Sequence, residues 1–167
     1  MQMSESTLKG AIAEAAISLE ASKLGFVVLR PQSEGRRYDM VIDVGPRLLR
    51  VQCKWGRLHR NVIVVDTSTR RLTPHGYVHT TYDRQEIDGV AAYCRELERC
   101  FWLPIELVAG RRGFSLRLVP TANNQALAIN WASDYDFGAI AQLGERGHGM
   151  AEVGGSSPPS STPRPLV

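Results

Sequence analysis

Gly45-Pro46 separates two strand-like runs, and that junction constrains the chain more than any other feature of its sequence. Before it, Tyr38-Asp39-Met40-Val41-Ile42-Asp43-Val44 is largely apolar. After it, Arg47-Leu48-Leu49-Arg50-Val51-Gln52-Cys53-Lys54-Trp55 reads as a second strand. With Gly45-Pro46 as a two-residue loop, the pair forms a hairpin in which Val44 faces Arg47 and Asp39 faces Gln52. Opposed residues of an antiparallel pair have Cβ atoms about 5 Å apart. Lys54 lies two residues beyond Gln52 and so points to the same face. One sheet face is therefore predicted to hold a carboxylate, an amide oxygen and an ammonium together. A one-residue change in the turn would break that alignment.

Met40, Val41, Ile42, Val51 and Cys53 mark both strands as substantially buried. A carboxylate and a lysine in such strands need a partner or a ligand. An Asp39–Lys54 ion pair near a strand end is one solution. A divalent-metal and phosphate site is the other: Asp39 supplies a hard oxygen ligand, Gln52 a neutral one, and Lys54 a positive charge for developing phosphate charge. Glu14 is a further candidate. At helical spacing it shares a strip with Gly10, Ala13, Ile17 and Ala21, away from Lys9 and Glu20, which places it either toward the sheet or on the helix surface.

Around the hairpin the pattern is that of one α/β domain. Residues 4–24 read as a helix, capped by Ser4 or Ser6 and ended by Gly25, with Leu8, Ala11, Ile12, Ala15 and Leu19 as its apolar stripe. Residues 26–29 and 61–66 read as strands, and 67–85 as a loop containing Pro74 and Gly76. Residues 90–94 and 100–103 suggest paired strands, or a helix continuing to Arg99; 113–119 suggests an edge strand and 121–132 a short helix. Trp55, Tyr77 and Tyr82 suit either a core or a groove-reading surface. After Phe137 the composition shifts, so the folded unit is expected over residues 1–137, with 138–167 a disordered tail.

Several function classes are excluded. No apolar run approaches a membrane span, and Met1–Glu5 lacks a secretory pattern, so a cytoplasmic protein without a membrane partner is expected. Cys53, Cys94 and Cys100 include no CxxC pair and are expected as buried thiols. His59, His75 and His79 fit no metal spacing, and neither a GxSxG nor a P-loop motif occurs. Arg30 to Arg71 holds ten Lys/Arg against four Asp/Glu, a surface suited to phosphates. Within it, Arg57, Arg60, Arg70 and Arg71 bracket the strand after Lys54 and are candidate DNA-binding residues.

Lys9-Gly10, Ala13-Glu14, Tyr38-Asp39 and Gln52-Cys53-Lys54 together resemble the core of the PD-(D/E)XK nucleases. The similarity is to the branch containing group I intron-encoded homing endonucleases. Leu116-Arg117-Leu118, Asn123-Asn124-Gln125, Ile129 and Trp131-Ala132 also resemble that branch, and the likeness spans about residues 8–136. The family's Pro-Asp motif falls on Tyr38-Asp39, without the proline. Its (Asp/Glu)-X-Lys motif falls on Gln52-Cys53-Lys54, and its helix acid on Glu14. Gln52 departs from the carboxylate of most of the superfamily and agrees with the homing branch.

The resemblance implies a restriction-endonuclease-like core, a mixed central β-sheet flanked by helices. It also implies metal-dependent hydrolysis of double-stranded DNA by a bacterial or phage-encoded enzyme. Asp39, Gln52 and Glu14 would hold Mg²⁺, for which Mn²⁺ substitutes, and Lys54 would act beside them. A double-strand cut would need a homo-oligomer, at least a dimer. A junction-resolving nuclease and a DNA-binding protein with a decayed site are the alternatives.

The tail carries a second message. Ala141-Gln142-Leu143-Gly144-Glu145-Arg146 can be encoded by GCTCAGTTGGGAGAGC, a D-arm-like stem. Arg146 to Glu152 allows CGGCC-ATGGCAT-GGCCG, a five-pair stem whose loop holds the alanine anticodon GGC. Gly154 to Pro159 allows GGCGG-TTCGAGT-CCGCC, a T arm. Gly138 to Ile140 allows GGGGCTA and Pro159 to Ser161 allows TAGCTCC, which pair as an acceptor stem with one G·U wobble. All four stems share one frame over 25 codons, as expected if an alanine tRNA gene overlaps the reading frame.

Overall fold

A computed structural model describes residues 3–33, 35–120 and 128–145. Helix α1, Glu5–Lys23, starts at Ser4, whose hydroxyl accepts the Thr7 N–H at 3.2 Å, and stops before Gly25 at φ +83°. Strands β1 (Val27–Leu29), β2 (Met40–Asp43), β3 (Leu48–His59) and β4 (Val62–Asp66) follow. Strands β5 (Ser68–Thr73) and β6 (Gly76–Thr81) form a separate two-stranded ribbon. Strands β7 (Gly89–Cys94) and β8 (Arg99–Pro104), helix α2 (Ile105–Val108), strand β9 (Gly113–Arg117) and helix α3 (Ala141–Glu145) follow, with short 3₁₀ helices at Arg95–Leu97, Ala132–Tyr135 and Phe137–Ile140.

Long strand β3 organises the seven-stranded sheet. One of its edges pairs with β7 in parallel, from Val51↔Gly89 to Gly56↔Cys94. The opposite edge is shared. Its first part pairs with β2, ending at Met40↔Val51, and its last part with β4, beginning at Gly56↔Val65. Both pairings are antiparallel, so the sheet is mixed as expected. Between them, β2 and β4 diverge from β3 and open a fork beside Gln52–Trp55.

Both faces of the sheet are buried. Ala13, Ile17 and Ala21 of α1 pack on Met40, Ile42, Leu49, Val51 and Trp102. On the other face Ile63, Val65, Tyr82, Ile87, Phe101, Leu103 and Phe114 form a second core. Both clusters contain alternating residues of β7 and β8, as period-2 strands inside a sheet require.

Three expectations are corrected, and a fourth is described only at its end. The stripe on α1 is not the packed one: Leu8 and Leu19 are 48% and 58% exposed, while Ala13, Ile17 and Ala21 are fully buried. A strip of mostly alanine lets the helix axis approach the sheet more closely than a leucine stripe would. The segment 67–85 is largely the β5–β6 ribbon rather than a loop; Pro74 and Gly76 mark its turn. The helix expected over 121–132 falls mostly outside the described residues, and Ala128–Asn130 is not helical.

The boundary expected at residue 137 falls inside packed structure. Phe137 and Ile140 are buried and Leu143 packs on the same core. A Cβ on Gly144 would collide with the Val44 carbonyl oxygen, so only glycine permits this contact. Residues 146–167 of the expected tail lie outside the described residues.

Candidate active site

At the fork, Cys53 presents an N–H on the edge that β2 has already left. The Asp39 carboxylate takes the place of a strand partner: its Oδ2 accepts the Cys53 N–H at 2.7 Å, while the Asp39 N–H continues the ladder to the Val51 carbonyl at 2.9 Å. The same Oδ2 accepts from Gln52 Nε2 at 2.6 Å. The β2–β3 register is the one expected from the hairpin, with Met40 opposite Val51 and Asp39 next in line with Gln52. In this arrangement the amide is a donor to Asp39, where a glutamate would repel it.

Lys54 points to the same face as Gln52 and donates from Nζ to the Ser68 carbonyl oxygen at 2.9 Å. Its ammonium also lies 5.4 Å from the Tyr82 ring centroid. Burial pulls the Lys54 pKa below its ordinary value, opposed by the negative charges of Asp66 and Asp39. Burial pushes the Asp39 carboxyl above its ordinary value; Glu14 adds to that, and the Cys53 N–H, Lys54 and Arg30 oppose it. The fork therefore concentrates charge in a place that penalises it, the condition in which a bound ion has most to offer.

Glu14 reaches the site from α1. Its Oε2 accepts from Arg30 Nη1 at 2.8 Å, and it lines, with Arg30, Arg36, Tyr38 and Asp39, one open cleft of about 320 Å³. The buried Ile17 and Ala21 lie three and seven residues further along α1, which sets Glu14 at the margin of the strip that packs on the sheet. Among the described residues no three His, Cys, Asp or Glu side chains cluster as a metal site. The donor set here is instead two carboxylates and an amide, all hard ligands of the kind that suit a small divalent cation.

The four arginines expected to bind DNA do not form one patch. Arg57 is exposed on β3, three residues past Lys54, and strand alternation turns it to the other face. Arg60 occupies the β3–β4 turn at φ +53°. Arg70 and Arg71 are exposed on β5, where Arg70 lies 3.7 Å from Asp66. The three aromatic residues left open by the sequence separate clearly. Tyr82 is buried, Trp55 packs edge-on against Tyr93, and Tyr77 is 66% exposed.

Sequence reasoning did not single out Arg37, Asp66 or Ser68. Arg37 binds Glu86 through Nε at 2.9 Å, Thr69 Oγ1 at 3.0 Å and the Thr81 carbonyl at 2.9 Å, and covers Tyr82 at 4.6 Å. Asp66 Oδ1 accepts the Ser68 N–H and hydroxyl at 2.9 and 2.8 Å. Burial disfavours its charge, yet these bonds, with Lys54 and Arg70, hold its pKa below the ordinary value. The Asp-x-Ser spacing at the end of a strand run was the available signal for this turn.

A family model described as PD-(D/E)XK endonuclease matches residues 4–138. The solved structure of a bacterial homing endonuclease, I-Ssp6803I, is similar with a TM-score of 0.68 and 27% identity, covering 90% of this chain and 100% of that one. No curated protein matches.

Proposed function

The chain belongs to the PD-(D/E)XK endonuclease family, and from that premise we propose that it is a site-specific homing-type endonuclease that hydrolyses duplex DNA with a divalent metal. The observation that carries this reading is the fork: Asp39 and Gln52 joined at 2.6 Å, and Lys54 on the same face of β3. Asp39, the Gln52 amide oxygen and Glu14 would hold Mg²⁺, or Mn²⁺ in its place. Such an ion supplies Lewis-acid polarisation of the scissile phosphate and a lowered pKa for attacking water. Lys54, anchored by the Ser68 carbonyl, carries positive charge toward the face where phosphate charge develops. Arg30 and Arg36, at the cleft, would meet the flanking phosphates; Arg57, Arg60 and Arg70 would extend that contact along the duplex, which Arg71 would also meet.

The target we assign is a tRNA-Ala gene with anticodon GGC. Its support is the tail, whose residues can be encoded in one frame by four tRNA-like stems. A homing element persists where its nuclease recognises the insertion site, and an insertion that leaves an intact tRNA sequence spares its host. Cutting both strands would take at least two copies of the chain, which the inverted repeats of tRNA arms suit.

The test is cleavage of an uninterrupted tRNA-Ala gene with its flanks, against a shuffled duplex, an unrelated tRNA gene and a four-way junction, with and without Mg²⁺. Mg²⁺-dependent cutting of the first alone is expected. Equal cutting of all three linear duplexes rejects the target. Preference for the junction turns the reading to a resolvase, and no cutting of any DNA rejects the nuclease reading.

A further inference from the structure

The β5–β6 ribbon stands apart from the main sheet. Among the described residues its strands pair only with each other, from Ser68↔Thr81 to Thr73↔Gly76. Leu72, Tyr77 and Val78 are 68%, 66% and 50% exposed, more than a fold needs to leave in water on so short an element. Arg71 is exposed on the same face as Val78, opposite that of Leu72 and Tyr77, and makes no ion pair among the described residues, whereas Arg70 lies toward Asp66.

The foot of the ribbon is held firmly. Arg37 grips both strands, at Thr69 Oγ1 on β5 and the Thr81 carbonyl on β6, while its other bonds go to Glu86. Ser68, the first residue of β5, receives Lys54 through its carbonyl and is tied by its N–H and hydroxyl to Asp66. The exposed end thus extends from the same backbone that seats the lysine of the fork.

We infer that this ribbon enters the major groove of the DNA and reads base edges through Arg71, with Val78, its cross-strand neighbour on the same face, supplying apolar contact. The inference rests on the nuclease reading above and names how that site selects its substrate. A major groove about 12 Å wide accepts a two-stranded ribbon, arginine is the commonest donor to guanine, and apolar side chains meet thymine methyls. The ribbon's positive charge matches the duplex. Its strands, at about 3.3 Å per residue, span no more than about six base pairs. Because the foot also seats Lys54, the bases read lie at a fixed distance from the bond cut.

The experiment uses the full chain carrying Asp39→Asn, which removes cutting from the readout. It is bound to a library of random duplexes, and the retained DNA is sequenced; the same is done after adding Arg71→Ala or Val78→Ala. Asp39→Asn alone should enrich a sequence motif. Each ribbon variant should lose preference within one contiguous block of about six positions or fewer, with affinity for the best sequence falling about 10–100-fold. Thermal unfolding of the ribbon variants should stay close to that of Asp39→Asn. An unchanged motif, no motif at any stage, or scattered losses would overturn the inference. So would an unchanged motif with an altered molar mass in sedimentation, which would make the ribbon a contact between copies. Mg²⁺-dependent cutting by the unsubstituted chain tests the nuclease reading separately, so the two can fail independently.

Discussion

The fork and the ribbon hold their polar groups in opposite ways. At the fork, Asp39, Gln52 and Lys54 are half-buried and each is engaged with a named partner inside the chain. On the ribbon, Arg71, Leu72 and Tyr77 face water and support little of the fold. A buried polar group must be satisfied by the protein before any ligand arrives, so its geometry is fixed by folding. An exposed one is fixed only when something binds it. Chemistry can then stay constant at the fork while recognition changes on the ribbon, and the two regions should respond differently to substitution.

The largest separation is expected in cleavage. Asp39→Ala and Lys54→Ala should lower single-turnover cutting by at least about 10²–10³-fold, the scale of losing one preorganised charge, while leaving most DNA affinity intact. Glu14→Ala should lower cutting less. Full cutting by both Asp39→Ala and Lys54→Ala would remove the fork as the site.

Stability should move the other way. The Asp39 pKa is raised in the folded state by burial, so the carboxyl's contribution to stability is complete below its unfolded pKa. It is lost as pH rises through the folded value. Asp39→Asn should therefore melt above the unsubstituted chain at neutral pH, and the gap should close on acidification below the ordinary aspartate range. Mg²⁺ should narrow the neutral gap by stabilising only the unsubstituted chain. A melting difference that ignores both pH and Mg²⁺ would show that Asp39 carries no burial cost.

Gln52→Glu probes the same corner more gently. It exchanges a donor 2.6 Å from Asp39 for a second negative charge. Without divalent ions the variant should melt lower, by about 1–3 kcal/mol of unfolding free energy for the lost bond and added repulsion, and saturating Mg²⁺ should recover most of that. Equal melting temperatures without metal would mean the Gln52–Asp39 bond contributes nothing.

How much of this was legible in the sequence follows the same division. The hairpin register was readable because a Gly-Pro turn and apolar alternation fix it, and with it the shared face of Asp39, Gln52 and Lys54. The strip of small residues left Glu14 either toward the sheet or on the helix surface, and it lies with Asp39 at one cleft. The ribbon was not readable, because Ser68-Thr69-Arg70-Arg71-Leu72-Thr73 buries one end only and lacks the apolar alternation of a core strand. The clamp by Arg37 depends on Glu86 and Thr81, distant residues that no local pattern couples to it. The docked segment 137–144 was missed for another reason. Its glycine and alanine content suggests a linker, yet those residues allow the close contact with Val44.

The smallest effect is expected at Arg57, and it tests how far the duplex reaches beyond the ribbon. Arg57 is exposed, has no ion pair among the described residues and lies on the face of β3 opposite Lys54. Arg57→Ala should leave the melting temperature nearly unchanged, since surface substitutions of this kind stay within about 0.5 kcal/mol. If Arg57 meets a phosphate, binding should weaken by a similar factor on every sequence, and the slope of log affinity against log salt should fall by about 1. That pattern differs from both other regions: the fork loses cutting with affinity kept, and the ribbon loses preference at particular bases. Titrations at several salt concentrations on the best sequence and on a shuffled duplex distinguish the three. A loss confined to one sequence would make Arg57 a base reader. An unchanged slope would confine the duplex to the face of β3 that carries Lys54, and the positive charge of Arg57 would then serve another contact.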